Sequence, residues 1–177
     1  VGSEMCIRDR HYTVTVQQEI DNALKYLEIQ QVRYKDHLRI ISDISDECTS
    51  FETVKLILQP FIENSIIHGL KGKTEEWLIV FRCYLRNDSV VYEISDNGCG
   101  IPPAQLDRLN TSIESLCSDT PESIGILNIA QRLRLIFGSQ CSLRLESASR
   151  AGTTVILEHK ALNDLSFYLE GTASEKK

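Results

Sequence analysis

The sequence predicts an α/β two-layer sandwich, with a mixed, mostly antiparallel sheet and helices on one of its faces. Three observations lead there. Segments with a helical apolar period alternate along the chain with short runs rich in β-branched and aromatic residues. Two pairs of those runs are joined through turn-forming residues, Asn87-Asp88 and Ala151-Gly152, so that neighbouring strands reverse direction. The 177 residues, 42% hydrophobic and 25% charged, suit one core with tails.

The first ten residues stand apart. Val1 to Arg10 has no apolar stretch of the kind a signal peptide needs, and Met5-Cys6-Ile7-Arg8-Asp9-Arg10 looks like translated sequencing-adapter sequence. Residues 1–10 are therefore expected to be a non-native leader outside the fold, and the chain a fragment of something longer. Thr15, with Gln18 three residues on, can cap a helix in which Ile20, Leu24 and Leu27 recur until about Tyr34. Leu38 to Ile44 alternates as a strand and ends in the polar Ser45-Asp46-Glu47 turn. From Thr53 to Leu70 the apolar period is helical again, through Leu56, Ile57, Phe61, Ile62 and Ile66. Pro60 inside that run either kinks the helix or opens its second half, where a missing N–H costs little.

Trp77 to Leu85 and Val90 to Ser95 read as an antiparallel hairpin about Asn87-Asp88. A loop follows at Asp96-Asn97-Gly98-Cys99-Gly100-Ile101-Pro102-Pro103. Ala104 to Ser123 begins weakly helical and ends in a polar, turn-rich stretch long enough to be a lid. Ile126 to Phe137 is a helix stopped by Gly138, and Ser142 to Glu146 and Thr153 to Glu158 are the last strands. After Leu162 only Leu165 and Phe167 to Leu169 are apolar, so residues 163–177 are expected to be a frayed polar tail.

Composition excludes several classes. No apolar run approaches the ~18–20 residues that span a bilayer. A formal net charge of −6 disfavours a broad nucleic-acid surface, so no nucleic-acid partner is expected. The six cysteines include no C-x-x-C pair, which removes zinc or redox spacing and leaves free thiols of a reducing compartment as the expectation. There is no internal repeat.

Three glycine-containing segments can meet phosphate, and known templates narrow the choice. There is no G-x-x-x-x-G-K-[ST] loop, and Gly98-x-Gly100 lacks a third glycine and runs into prolines, so neither a P-loop nor a dinucleotide fingerprint is present. What remains is an order: Leu58 to Gly69 on a helix, Asp96 at a strand end before two alternating glycines, and Ser123-Ile124-Gly125-Ile126-Leu127-Asn128 opening a further helix. That order resembles the ATP-binding catalytic domain of histidine kinases, the Bergerat (GHKL) ATP-binding fold shared with DNA gyrase, the large ATP-dependent heat-shock chaperones and MutL. It is most similar to sensor kinases of the LytS/YesM type. Leu24 to Arg33 looks like their connecting helix, Leu56 to Leu70 their asparagine box, Asp96 to Ile101 their first glycine box and Ser123 to Gly138 their second, with Gln131-Arg132-Leu133-Arg134-Leu135. Gly152-Thr153-Thr154 is similar to the closing strand. The division implied is a connecting helix over 11–36 and an ATP-binding kinase domain over 37–162.

The resemblance implies roles, each with a plainer alternative. A carboxylate beside glycines, Asp96 with Gly98, Gly100 and Ile101, can accept from an adenine amino group where a planar ring approaches the backbone; otherwise Asp-Asn-Gly only reverses the chain. Asn64 is implied as the ligand of Mg2+, a neutral oxygen suited to a hard cation that also takes phosphate oxygens. Glu63 is implied to orient or deprotonate a nucleophile near the γ-phosphate, and His68, one turn beyond Asn64, to face the phosphates; either residue can instead be ordinary helix surface. Gly125 and Ile126 would bring helix N–H groups to phosphate, with Asn128 on the first turn. The Thr153 hydroxyl would support the adenine pocket, or pack as any strand threonine does. Two positions depart from the pattern: Ile67 stands where a basic residue is usual, leaving Lys71 or Lys73 to compensate, and Ser123 replaces a glycine.

The cofactors implied are ATP and Mg2+. The implied reaction is transfer of the γ-phosphoryl to a histidine on an upstream dimerisation and acceptor helix, because His11, His37, His68 and His159 all lack the family's acceptor context. The implied partners are that helix, a response regulator and a second copy in a homodimer. The domain would be cytoplasmic, its full-length parent anchored in the cell membrane. Two alternatives remain open on the sequence: an ATPase in which Glu63 activates water, and a non-catalytic nucleotide sensor.

Overall fold

The computed structural model describes residues 12–70, 76–117 and 124–165. Lys71, Lys73, Ser123, the leader and the tail beyond Leu165 lie outside these residues. In chain order the elements are β1 (Thr13–Thr15), α1 (Val16–Tyr34), β2 (Leu38–Ile44), β3 (Glu52–Val54), α2 (Gln59–Asn64), β4 (Trp77–Arg86), β5 (Ser89–Asp96), α3 (Pro103–Ser115), α4 (Ile124–Phe137), β6 (Cys141–Ser147) and β7 (Thr153–Lys160). Five strands form one sheet in the order β2-β4-β5-β7-β6, and β1 pairs with β3 in a separate ribbon. Only the β2–β4 pair of the large sheet is parallel, so the expected mixed, mostly antiparallel sheet is what forms. No helix among the described residues is long and apolar enough to cross a membrane.

Local chemistry accounts for the ends of most elements. The Thr15 hydroxyl accepts from the Gln18 amide at 3.2 Å while the Gln18 side chain accepts from the Thr15 amide at 3.0 Å, the capping box expected for α1. Asn87 and Asp88 both take left-handed conformations, φ 48° and 59°, which match the twist of the β4–β5 hairpin. Gly138 ends α4 at φ +58°.

The single helix expected over residues 53–70 is not formed. Thr53 and Val54 pair with Val14 and Thr13 in the β1–β3 ribbon, and the helix starts only at Gln59, with Pro60 in its first turn. Of the two roles open to Pro60 the structure takes the second, since its missing amide falls where no intrahelical partner exists. Beyond Asn64 the coil widens to a π-helical stretch, Ser65–Leu70. α4 already includes Ile124 and Gly125, ahead of the start expected at Ile126. Leu165, expected in the frayed tail, is fully buried, and its amide donates to the Glu52 carboxylate at 2.7 Å.

The core lies between one sheet face and α1, α2 and α4, and the strand register organises it. Phe81, Ile94, Val155 and Leu145 stand side by side across β4, β5, β7 and β6, and Cys83, Tyr92, Leu157 and Leu143 form the next row. The opposite face carries charged pairs, Arg86 with Glu158 at 2.6 Å and Arg82 with Glu93 at 3.7 Å. From α1, Val16, Ile20, Ala23 and Leu27 enter the same core, so the helix before the sheet is built into the domain. All described cysteines are free, including Cys48 and Cys83, whose buried sulfurs are 3.3 Å apart.

Candidate functional site

One step beyond the apolar rows the same inner face turns polar. Asp96 on β5 pairs in register with Thr153 on β7, and Thr153 with Ser147 on β6. Asp96 is buried, and its Oδ1 accepts from the amides of Gly98 at 2.9 Å and Thr153 at 3.3 Å. Ser147, which sequence reasoning did not single out, is fully engaged. Its hydroxyl donates to the Gly152 carbonyl at 2.7 Å, accepts from the Ile101 amide at 2.8 Å and lies 3.1 Å from the Thr153 hydroxyl. The signal was present in the alternation Leu143, Leu145, Ser147, which puts a hydroxyl where a third inward apolar residue would stand.

The loop after Asp96 is held against the π-helical stretch by backbone contact. A Cβ built on Gly98 would fall 2.2 Å from the Gly69 carbonyl oxygen, and the Cys99 amide donates to that oxygen at 2.8 Å. Only a glycine permits so close an approach. Gly100, at φ +69°, has no room for a side chain either, since a Cβ there would lie 2.0 Å from the Ala148 carbonyl oxygen. Asn97, also missed, accepts from the Leu78 amide at 2.9 Å and donates to the Glu76 carbonyl at 3.0 Å, tying the loop to the start of β4.

A cavity of about 600 Å3 opens at this edge, within the usual size range of small-ligand pockets. Phe61, Ile101, Ile126, Leu145 and Val155 supply apolar walls, while Asn64, His68, Asp96 and Thr153 supply polar groups. A planar apolar ring with a polar edge suits the Asp96 end. Asn64 and His68 are exposed on the helix side. Among the described residues no cluster of three or more His, Cys, Asp or Glu could hold a metal by itself. Asn64 on the cavity wall carries an amide oxygen, a donor of the kind that suits a hard cation drawing its other ligands from phosphate and water.

The structure thus gathers Asn64, His68, Asp96, Gly100, Ile101, Ile126 and Thr153 around one cavity. It leaves others off the wall. Gly98 acts through its contact with Gly69. The Glu63 carboxylate accepts from the Gln59 side chain at 2.7 Å, and it lies near enough to Tyr26 of α1 to contribute, after burial, to raising that phenol's pKa. Gly125 lies inside α4, where a Cβ would meet nothing within 4 Å, and Asn128 is exposed further along the helix.

Comparison with known proteins agrees with this geometry. Residues 49–163 match the family described as histidine kinase-, DNA gyrase B-, and HSP90-like ATPase. The chain is 32% identical over 146 residues to the sensor protein LytS of Staphylococcus epidermidis, covering 82% of this chain and 24% of that protein. It is 30% identical over 152 residues to the sensor histidine kinase YesM of Bacillus subtilis, covering 86% and 25%. The chain therefore spans about a quarter of the length of these relatives. In fold it is similar to the catalytic domain of histidine kinase ThkA, with a TM-score of 0.61 at 14% identity, over 86% of this chain and 97% of that one.

Proposed function

The chain belongs to the family of histidine kinase-, DNA gyrase B-, and HSP90-like ATPases, and from that membership we propose that it is the ATP-binding catalytic domain of a sensor histidine kinase. The observation that carries the reading is the register pair Asp96 and Thr153 opening into the cavity, backed by Ser147, with Asn64 and His68 also on the wall. Asp96 accepts from the adenine amino group. Its Oδ1 is braced by two backbone amides, which hold the carboxylate in place before a ligand arrives. Thr153 and Ile101, both tethered to Ser147, flank the ring. Asn64 would hold Mg2+, which when bound would supply neutralisation of phosphate charge. His68 lies beside the phosphates and hydrogen-bonds a phosphate oxygen, and Lys71 or Lys73 takes the part of the basic residue replaced by Ile67.

In the reaction the bond between the γ-phosphorus and its bridging oxygen breaks and a bond to an imidazole nitrogen of the acceptor forms. ADP leaves, and the proton displaced from that imidazole passes to a base. Glu63, on the α1 side of α2, is the base or orienting group, because the acceptor belongs to a segment upstream of α1. Its place off the cavity wall favours phosphoryl transfer to another segment over activation of a water inside the pocket. In the full-length protein this domain would work as a homodimer, pass phosphate to a response regulator, and face the cytoplasm from a membrane-anchored parent. Incubation of the chain with γ-labelled ATP should leave it unlabelled, and a matched dimerisation-and-acceptor domain should then gain acid-labile label. Phosphohistidine on His68 of the chain alone, or phosphate release without any protein label, would defeat the reading.

A further inference from the structure

A buried carboxylate outside the cavity bears directly on it. Glu19, on α1, is 1% exposed, and its two oxygens accept three consecutive backbone amides: Leu56 at 2.8 Å, Ile57 at 2.7 Å and Leu58 at 3.0 Å. Those amides lead into α2. At this helix start the Leu58 side chain makes no capping hydrogen bond and the first turn holds no acidic residue, while the Leu58 carbonyl takes the Phe61 and Ile62 amides. The turn just before the helix is held instead by a carboxylate of another helix, 37 to 39 residues earlier in the chain. Leu56 is held in a left-handed conformation, φ 58°, and Arg132 of α4 donates to the neighbouring Lys55 carbonyl, so the same turn is gripped from two sides.

The far end of this stretch is fixed differently. Its last residues meet the glycine loop through the Gly69–Gly98 contact and the Cys99 amide. Glu63 and Asn64 close α2, between the two grips and just before the coil widens. α2 has only six residues, so its own hydrogen bonds secure its position weakly.

Resting on the reading of the cavity as a Mg-ATP site, we propose that Glu19 is a positioning residue for the metal-and-phosphate end of that site. Its carboxylate sets where α2 begins and therefore where Asn64 and Glu63 stand. α1 packs into the same core, so this contact also ties that end of the site to the helix before the sheet. The adenine end is held by the strand register and the glycine contact and does not depend on Glu19.

The test is a division of binding in the whole chain, by calorimetry with ADP in the absence of metal and with ATP at rising magnesium. Glu19→Gln keeps one oxygen for Ile57 and Leu58 but turns an NH2 group onto the Leu56 amide. It should leave metal-free ADP affinity unchanged and cut the magnesium-dependent gain in ATP affinity about threefold, no more than the loss of Asn64 itself. Arg132→Ala, which loosens the same turn from the surface, should show the same division at smaller size even if the buried variant does not fold. A lowered melting temperature with an unchanged magnesium gain in both variants would reduce Glu19 to a stabiliser and overturn the proposal. Wild-type chain that binds neither nucleotide would instead overturn the Mg-ATP reading, and the proposal with it.

Discussion

Among the described residues, buried polar side chains interrupt the inner face of the five-stranded sheet at two places, and the molecule treats them in opposite ways. At one end His159, between Val90 and Cys141 across the strands, is fully buried. Its Nδ1 donates to the Lys160 carbonyl at 2.9 Å, so Nε2 accepts from the Thr53 hydroxyl at 2.9 Å, and the ring stacks on Phe137 with centroids 4.3 Å apart. At the other end, two rows beyond Tyr92, Asp96 opens with Thr153 into the cavity. A polar residue that finds all its partners inside the fold serves the fold. One braced by backbone on one side and facing a cavity on the other is built for a ligand.

The sharpest way to break this contrast is acid. Burial lowers the His159 pKa from 6.5 to about 4 in the folded chain. Between those values the unfolded chain binds the proton and the folded chain does not, so stability is complete above about pH 6.5 and falls as pH drops towards 4. A shift of this size corresponds to roughly 3 kcal/mol. Denaturant titrations at several pH values should show that slope, and His159→Gln, which cannot take the proton, should flatten it. Parallel slopes in the two proteins would mean that His159 is not held neutral.

Next in size is Asp96→Ala. A hydrogen bond from a carboxylate to a buried ligand group is worth about 1.5–3 kcal/mol, so nucleotide affinity should fall at least about tenfold, with or without magnesium. Calorimetric titration giving wild-type affinity would remove Asp96 from the site. Ser147→Ala should act more weakly, by about 1 kcal/mol, since the Ile101 amide loses its acceptor and Thr153 its neighbour. Its signature is a severalfold loss for ATP and adenosine alike; a loss confined to stability would assign Ser147 to the sheet alone.

The smallest effect is expected at Asn64. Asn64→Ala should reduce the magnesium dependence of ATP affinity by a few-fold while adenosine binding stays as it was. Equal dependence in both proteins would make Asn64 a surface residue of α2.

Much of the fold was legible because it rests on local chemistry. The capping box at Thr15, the Asn87-Asp88 turn, the stop at Gly138 and the alternation in β4, β5 and β7 are properties of neighbours in the chain, and the structure has each where the residues place it. The boundaries that failed are those set by distant partners. Residues 53–58 carry a helical apolar period, yet β1 takes Thr53 and Val54 into a ribbon and Glu19 takes the amides of Leu56 to Leu58. Leu165 reads as tail because only a short apolar patch follows it before a polar end; in the fold the core takes its side chain and Glu52 its amide.

The candidate site divides along the same line. By itself the sequence determined that a carboxylate would stand at a strand end beside two glycines, because strand alternation is a local rule; it read those glycines as room for a ligand ring, whereas the Gly69 and Ala148 carbonyls crowd them, and the single helix it drew through Asn64 and His68 becomes π-helical between the two. Only the tertiary structure decided that Ser147 and Asn97 brace the loop, that Glu63 turns towards α1, and that α2 starts where a carboxylate of another helix meets it. Those contacts join residues far apart in the chain, and register and packing choose such partners only once the whole sheet has closed over its core.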